Sequence, residues 1–506
     1  MKIISTIICI LLSSALLGQT FDSPISLRNM KKDFKVFKAL RKEANSGLHK
    51  YRTQAEIDSL YKWAESELPK LKSYGDFHNL IAYLTNFEGS LHNETYLPKR
   101  IKLNLKQETS GYFPYPLKWI DGKLRLNLKG GLIPLGAEII SINGEFIDHI
   151  IPKLYKYYTT DGFNITGKQI GINYHFSKYY RMHYGLQNQF IVEYVLPKKS
   201  KPVSITLKST DYKTYYKHTN SRYSFPYDQY TYSDIPEDSI YTYKQFDKTT
   251  GVLTINTFGI GSGENDPKHK AYIAFLNRVF TQLKEKGVNY LIVDIRENGG
   301  GTDPNDLETY SFLTQRTFQE NKQAWISFNK IPYIKYYDSP IPKFLRPLGV
   351  GKFNKLFPNE KEGNFYQDNT SNDHKIRHPK TNAFTGQVYL LIGPAVASAG
   401  SLFGAMLAGN QNTITIGEES SGGYYGHNGH TNFTYILPKS KIKTSFSVVN
   451  LKQDVPIKSN QSQTKGIIPD YRVVQSYDDF LKHEDTQMNY VLELIKKHKA
   501  IVKIDE

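Results

Sequence analysis

Two segments carry the residue types and spacing that acyl-transfer chemistry requires. In the first, the apolar run Val388–Ile392 ends, small residues turn the chain, and a helix is predicted over 401–408. A serine at such a strand–helix corner presents its hydroxyl at the sheet edge, where the first N–H groups of the helix favour negative charge. Ser398 is therefore the candidate nucleophile, and the backbone N–H of Ala399 is a candidate oxyanion donor. The alternative is that Ser398 or Ser401 is an ordinary N-cap residue.

The second segment is the glycine run Gly299–Gly301, which follows the apolar stretch Tyr290–Asp294. Glycine allows the backbone to turn sharply or to approach a ligand closely, and N–H groups in such a turn can stabilise an oxyanion. Gly299, Gly300 and Gly301 are therefore candidate oxyanion donors. The run lacks both the lysine of a phosphate-binding loop and the spaced glycines of a dinucleotide turn, which disfavours nucleotide binding. A purely structural turn is the alternative.

A serine nucleophile needs a base, because its hydroxyl is almost wholly protonated at neutral pH. Three histidines are candidates for this base. His92 lies in a Gly-Ser-Leu-His turn, and His427 and His430 flank an Asn-Gly pair. A His-x-x-His pair can also bind a metal ion, but no acidic ligand lies near it, so the sequence predicts no metal site. The motifs imply no organic cofactor either.

The surrounding pattern predicts an α/β protein of several parts. Apolar residues at helical spacing favour a small helical region over 25–110, and short alternating runs favour a β-rich module over 111–210. Strands alternate with helices over 246–476, as in a mainly parallel sheet with covering helices. Within it, the polar and aromatic stretch 318–385 is predicted to be an insertion or lid. Residues 477–506 are expected to form a C-terminal helix and tail.

The first segment indicates export. Residues 1–18 combine a basic start, an apolar run of about a dozen residues and a small residue at Gly18, which is typical of a signal peptide. We therefore expect a periplasmic or extracellular protein with no integral membrane segment in its mature chain. The only cysteine, Cys9, lies inside this run, which excludes a disulfide scaffold and a cysteine-ligated metal centre.

Charge does not predict a nucleic-acid partner. The 506-residue chain carries a formal net charge of +17, but its lysines are dispersed and no nucleic-acid-binding motif is present. We expect general solvation rather than a basic binding face.

Four ordered motifs together resemble the C-terminal processing (tail-specific) peptidase family of serine peptidases. They are Asp294–Gly301, Val396–Ala399 before a helix, Ile416–Glu418 and Gly466–Asp470. This resemblance implies a crotonase-like (ClpP/crotonase-type) α/β core. Residues 134–144 look like part of a PDZ domain, and residues 89–93 look like the family's N-terminal Asp-Gly-His-Thr motif. The resemblance also implies that a peptide or protein substrate is bound through the PDZ-like domain by strand addition, with its carboxylate near Leu128–Gly131.

The sequence departs from the family pattern at the general base. The bacterial processing peptidases use a lysine 25 residues after the serine, and here that position is Gly423. The branch that resembles tricorn instead takes a histidine from a segment ahead of the PDZ domain, and His92 matches that position. The acid that would orient the base has no counterpart in the late segment, and Asp454 and Glu418 are candidates by residue type alone.

The predicted function is thus that of an exported serine endopeptidase acting on peptides or unfolded C-terminal tails. In this prediction Ser398 attacks, His92 accepts the proton, and Ala399 with the glycine turn binds the oxyanion. The alternative, favoured by the missing lysine, is a non-catalytic pseudopeptidase that binds peptides or cell-wall material.

Overall fold

The computed structural model describes residues 19–222, 236–341, 355–368, 370–371 and 374–505. The predicted signal peptide, residues 1–18, lies outside the described residues. The helices are α1 Leu27–Ala44, α2 Gln54–Glu67, α3 Tyr74–Phe87, α4 Lys99–Gln107, α5 Ile147–Leu154, α6 Thr166–Tyr184, α7 Tyr212–Asn220, α8 Pro267–Glu285, α9 Asn305–Ser311, α10 Ala399–Ala408, α11 Tyr477–Lys482 and α12 Thr486–Asp505.

The strands form three six-stranded sheets within the described residues. They are β1 Glu94–Tyr96, β2 Leu117–Ile120, β3 Lys123–Leu126, β4 Glu138–Ile142, β5 Glu145–Phe146, β6 Gln189–Val195, β7 Pro202–Lys208, β8 Tyr241–Gln245, β9 Thr250–Ile255, β10 Tyr290–Asp294, β11 Asn321–Ile326, β12 Asn359–Lys361, β13 Asn364–Tyr366, β14 Gln387–Ile392, β15 Thr413–Gly417, β16 Asn428–Ile436, β17 Lys443–Gln453 and β18 Tyr471–Arg472.

The mainly parallel sheet has the strand order β18-β15-β14-β10-β9-β8, and only β8 is antiparallel to its neighbour. Its apolar strands are covered on both faces, as expected for a buried parallel sheet. On one face they pack against α8, α9 and α10, and on the other against α12 through Val491 and Ile495. The parallel strands predicted from Tyr290–Asp294 and Val388–Ile392 are thus confirmed.

The antiparallel sheet has the order β2-β3-β4-β6-β7, with β5 paired to β4. Alternate residues of β6 face its core, since Phe190, Val192 and Tyr194 are buried while their neighbours are exposed. Helices α5 and α6 pack against the same core. The β-rich module predicted over 111–210 therefore folds around one hydrophobic core.

The third sheet joins a strand from the N-terminal region to strands from the second half of the chain. Strand β1 pairs with β17, which also pairs with β11 and β16. The predicted helical spacing is confirmed in α1, where Met30, Phe34, Phe37 and Leu40 are buried against this sheet. The segment predicted as an insertion or lid supplies β11, β12 and β13 to the sheet.

Among the helices in the described part of the chain, none combines the length and the hydropathy that a membrane crossing requires.

Candidate functional site

Ser398 lies at the corner between β14 and α10. Its backbone has φ +51° and ψ −133°, in the left-handed half of φ/ψ space that L-residues rarely adopt. Strain of this kind is typical of a nucleophile elbow, which lifts a hydroxyl out of the sheet edge. Ser398 occupies the N-cap position, but its side chain makes no capping hydrogen bond.

Ser401 is not the N-cap residue. It lies in the first turn of α10, where its Oγ donates a hydrogen bond to the Ser398 carbonyl at 2.8 Å. The alternative that assigned Ser401 to a cap is therefore wrong, because the helix begins two residues earlier than predicted.

His92 lies beside this serine. Its Nε2 is 3.2 Å from Ser398 Oγ, although the two residues are 306 positions apart in the chain. This is the upper end of the hydrogen-bond range for a proton acceptor. For Ser398 to donate, His92 must carry its own proton on Nδ1, and Nδ1 makes no hydrogen bond within the described part of the chain.

The turn that carries His92 is anchored by Asp161, which the sequence analysis did not identify. The buried Asp161 carboxylate accepts hydrogen bonds from the backbone N–H groups of Leu91, at 3.0 Å, and Gly423, at 2.9 Å. Thr159 Oγ1 also donates to the Leu91 carbonyl at 3.0 Å. Asp161 therefore joins the His92 turn to the loop that follows β15. Burial raises the pKa of Asp161 to about 7.

A second buried carboxylate, Glu88, holds the other end of the turn. Its Oε1 is 3.0 Å from Arg41 Nε, and its Oε2 accepts a hydrogen bond from Asn93 Nδ2 at 2.7 Å. The Arg41 guanidinium also lies 4.4 Å from the centre of the Phe446 ring in β17. Burial raises the pKa of Glu88 to about 7. Glu88 was not among the residues predicted from the sequence. Its position four residues before His92 is the signal that could have indicated its role.

The environment of His92 disfavours its charged form. Burial, and secondarily the positive charge that His430 can carry, lower the pKa of His92 to about 4. The ring of His427 is 4.9 Å from that of His92, centre to centre, and burial lowers its pKa well below the usual value. His430 Nε2 lies 3.0 Å from Asn321 Nδ2. The three candidate bases thus lie near one another, but His92 is the one within hydrogen-bond distance of Ser398.

The glycine turn lies directly against the serine. A Cβ atom on Gly300, whose φ is +110°, would come within 2.7 Å of Ser398 Cβ and 2.9 Å of the Ala399 nitrogen. The Gly299 N–H donates to the Glu297 carbonyl at 3.1 Å, and the Gly300 N–H donates to Asn298 Oδ1 at 2.9 Å. Two of the three predicted glycine donors are therefore used within the turn. The Ala399 N–H, in the first turn of α10, has no intrahelical partner.

Neither acid considered as an orienting group contacts His92. Asp454 pairs with Arg316 at 2.6 Å and with Lys322 at 3.3 Å. Glu418 follows β15 and lines a cavity of about 490 Å³ together with Asp294 and Arg296. Burial raises the pKa of Glu418 to about 7, against the opposing charges of Arg472 and Lys118.

A smaller cavity, of about 320 Å³, opens beside the Ser398–His92 pair. Its lining includes Leu91, Asn93, Tyr157, Tyr158, Ala397 and Ser421. Leu91 and Ala397 are the immediate chain neighbours of His92 and Ser398, so this cavity could hold a side chain of a molecule bound at the serine.

The comparisons with known proteins concern the family and the fold. Residues 249–473 match the profile described as Peptidase family S41. This match covers less than half of the chain and supports its resemblance to the C-terminal processing peptidases. The S41 region contains Ser398 and the glycine turn but begins after His92.

Solved structures resemble the chain over most of its length. Mature CPAF complexed with lactacystin is 13% identical, with 95% of this chain and 99% of that chain covered and a TM-score of 0.61. A second structure of mature CPAF is 12% identical, covers 90% and 94%, and has a TM-score of 0.55. The photosystem II D1 C-terminal processing protease is 13% identical, covers 88% and 93%, and has a TM-score of 0.36. No curated protein matches the sequence.

Proposed function

We propose that this protein is an exported serine peptidase that cleaves peptides or unfolded protein chains through an acyl-enzyme. The observation that carries the proposal is the 3.2 Å approach of His92 Nε2 to Ser398 Oγ at a strained strand–helix corner. The match of residues 249–473 to the S41 peptidase profile supports hydrolysis of peptide bonds as the reaction. The missing lysine does not exclude activity, because a neutral imidazole can take the same proton.

In the proposed reaction, His92 accepts the Ser398 proton as Oγ bonds to the scissile carbonyl carbon. The resulting imidazolium gives that proton to the amine as the C–N bond breaks, which leaves an ester on Ser398. Water then attacks the ester, His92 takes the water's proton, and the proton returns to Ser398 Oγ as the acid product leaves. The low pKa of His92 keeps the ring in its proton-accepting form at neutral pH.

We assign the Ala399 N–H as the oxyanion donor. It belongs to the first turn of α10, where the helix dipole adds positive potential. The Gly299–Gly301 turn closes the other side, and its missing side chains let the backbone approach Ser398. The cavity lined by Leu91 and Ala397 is the proposed binding site for a substrate side chain.

The direct test compares purified wild type with the variants Ser398→Ala and His92→Gln on a fluorescent unfolded protein. Each variant is expected to lose at least about 10³-fold in kcat, since dyad members act as a unit. The exposed residues Ser59 and His49 supply matched controls, Ser59→Ala and His49→Gln, which should retain activity. Labelling by a fluorophosphonate probe, which needs the activated hydroxyl, should disappear in Ser398→Ala, become much slower in His92→Gln and remain unchanged in both controls.

Three outcomes would change the assignment. Cleavage by Ser398→Ala would remove the nucleophile. A loss in His427→Gln that exceeds the loss in His92→Gln would move the base to His427. Binding of the unfolded protein by wild type without cleavage or probe labelling would favour the pseudopeptidase.

We further propose export and preference for a free C-terminal tail. Residues 1–18 support export, and cell fractionation of the tagged full chain tests it. Around Gly130, with φ +77°, the turn after β3 exposes Leu132 to 68%, which supports tail binding beside the antiparallel sheet. A peptide with a free carboxylate should show a lower KM than its C-terminal amide, and equal KM values would contradict tail recognition.

A further inference from the structure

A separate group of carboxylates lies beyond the glycine turn. Asp303 and Asp306 follow the turn, and Glu320 immediately precedes β11. One oxygen from each of the three side chains lies within 4.8 Å of the other two. Asp303 is exposed, whereas Asp306 and Glu320 are only 0% and 1% exposed. The group is thus accessible from one side and buried on the other.

Asp306 supplies the evidence that this group needs a ligand. Both of its carboxylate oxygens are buried, and no side chain in the described part of the chain donates a hydrogen bond to them. The backbone N–H groups of Asp306 and Leu307 give only local support. A carboxylate withdrawn from water without hydrogen bonds is costly, and a second carboxylate beside it adds repulsion. Arg377 is a nearby cation, but its Nη1 is paired with Glu308 at 2.9 Å. The Asp306 carboxylate therefore lies among acidic neighbours without a hydrogen bond from any described side chain, and Arg377 only partly offsets their charge.

We propose that Asp303, Asp306 and Glu320 bind a Ca²⁺ ion. Carboxylate oxygens suit hard cations, and bonds of about 2.3–2.6 Å let ligands on opposite sides of Ca²⁺ lie about 5 Å apart. The three oxygens lie within 4.8 Å of one another, so one Ca²⁺ ion can reach all of them. Exposure at Asp303 provides an entry path and room for water ligands.

The ion would tie two segments that support the serine site. On one side, the Thr302 N–H donates to the Phe258 carbonyl at 3.0 Å, directly after the glycine turn. On the other side, Glu320 precedes Asn321, whose Nδ2 lies 3.0 Å from His430 Nε2. Ca²⁺ would therefore fix the loop after the glycine turn against the start of β11. Its role is to position these segments rather than to contact the substrate.

The test titrates CaCl₂ into chelator-treated full-length protein while calorimetry measures binding and thermal unfolding gives Tm. We expect saturable binding at one site with a Kd of about 1 mM or lower, and a Tm that rises with Ca²⁺. Asp306→Asn and Asp303→Asn should each weaken binding at least about tenfold, since each removes a charged ligand. The control Glu264→Gln removes an exposed acid outside the group and should bind as wild type does.

Asp303→Asn keeps the test decisive even if Asp306→Asn fails to fold, because Asp303 is exposed. The proposal is overturned if wild type shows no saturable Ca²⁺ binding at millimolar concentration. It is also overturned if Asp303→Asn binds Ca²⁺ with the wild-type Kd. Because binding and Tm are measured without substrate, neither result depends on the peptidase proposal.

Discussion

The chemistry of the proposed site depends on one imidazole with an unusual pKa. Burial lowers the pKa of His92 to about 4, so its ring is neutral throughout the neutral range. Its Nδ1 has no acceptor in the described part of the chain, so no carboxylate stabilises the imidazolium formed in the reaction. A base with this pKa stays unprotonated over a broad pH range, but it accepts a proton less strongly than an ordinary histidine does.

The pH dependence of kcat/KM is the corresponding prediction. The proton-accepting form of His92 exists above its pKa, so the titration of His92 itself should lower kcat/KM only as pH approaches about 4. A separate limb near pH 7 would report protonation of Asp161, whose pKa is about 7. An ordinary histidine, with a pKa of about 6.5, would already have lost most activity at pH 5. The measurement is kcat/KM on a peptide without titrating groups.

Circular dichroism at each pH serves as the control for that profile, since acid unfolding would also abolish activity. An acidic limb centred near pH 6.5 that persists in the folded Asp161→Asn variant, where Asp161 cannot titrate, would contradict the low pKa of His92.

At the scale of elements, two buried carboxylates hold the turn between α3 and β1. Asp161 binds the turn to the loop after β15, and Glu88 binds it to α1 through Arg41. Neither carboxylate touches Ser398 by any described hydrogen bond. We therefore treat both as positioning residues for His92.

Asp161→Asn should lower kcat about 10–100-fold with a smaller change in KM. An asparagine side chain offers one oxygen acceptor, so it can satisfy only one of the Leu91 and Gly423 N–H groups and brings an NH₂ group toward the other. The His92 turn would then shift relative to Ser398. Steady-state kinetics test this, with the exposed Asp148→Asn as control. An unchanged kcat in a correctly folded variant would remove Asp161 from this role.

Arg41→Ala tests the second anchor through stability. Removing the guanidinium leaves the buried Glu88 carboxylate without its cation, and breaking such a pair costs about 3–5 kcal/mol. Denaturant unfolding should show this loss, whereas Arg28→Ala, at an exposed position of the same helix, should be nearly neutral. Equal stability of the two variants would mean that Glu88 is neutralised in another way.

The predictable elements were those with local signals. The parallel strands and the corner at Ser398 follow from continuous apolar runs and small residues within about ten positions. Asp161 carries no such signal, because its partners Leu91 and Gly423 lie 70 and 262 positions away in the chain. The glycine donors show the same limit, since only the fold reveals that the Asn298 side chain already accepts the Gly300 N–H. Local pattern thus predicts elements, and long-range contacts decide which of their groups are available.

At the scale of the whole molecule, the serine and histidine belong to opposite ends of the chain. The third sheet brings them together, because β1 follows His92 directly and pairs with β17. Lys50 Nζ also donates to the Leu451 carbonyl of β17 at 2.7 Å, and the Asn428 side chain donates to the Gly47 carbonyl at 3.1 Å. Activity should therefore depend on how the N-terminal helices pack against β16 and β17, although these contacts lie far from the reacting atoms.

Gly47→Ala tests this dependence with one methyl group. A Cβ at Gly47 would lie 1.9 Å from Asn428 Nδ2, and Asn428 is buried, so the α1–α2 connection must move away from β16. We expect a destabilisation of about 1–3 kcal/mol and a fall in kcat of about tenfold or more, since overpacking displaces the backbone that carries His92. Urea unfolding and steady-state kinetics measure the two effects.

The double variant Gly47→Ala with Asn428→Ala separates displacement from other causes. Shortening Asn428 makes room for the new methyl group, so kcat should recover beyond that of Gly47→Ala, although the hydrogen bond to the Gly47 carbonyl is lost. Recovery would show that the packing of the N-terminal helices against β16 limits catalysis. A Gly47→Ala enzyme with wild-type kcat would show instead that the His92 turn is fixed by Asp161 and Glu88 alone.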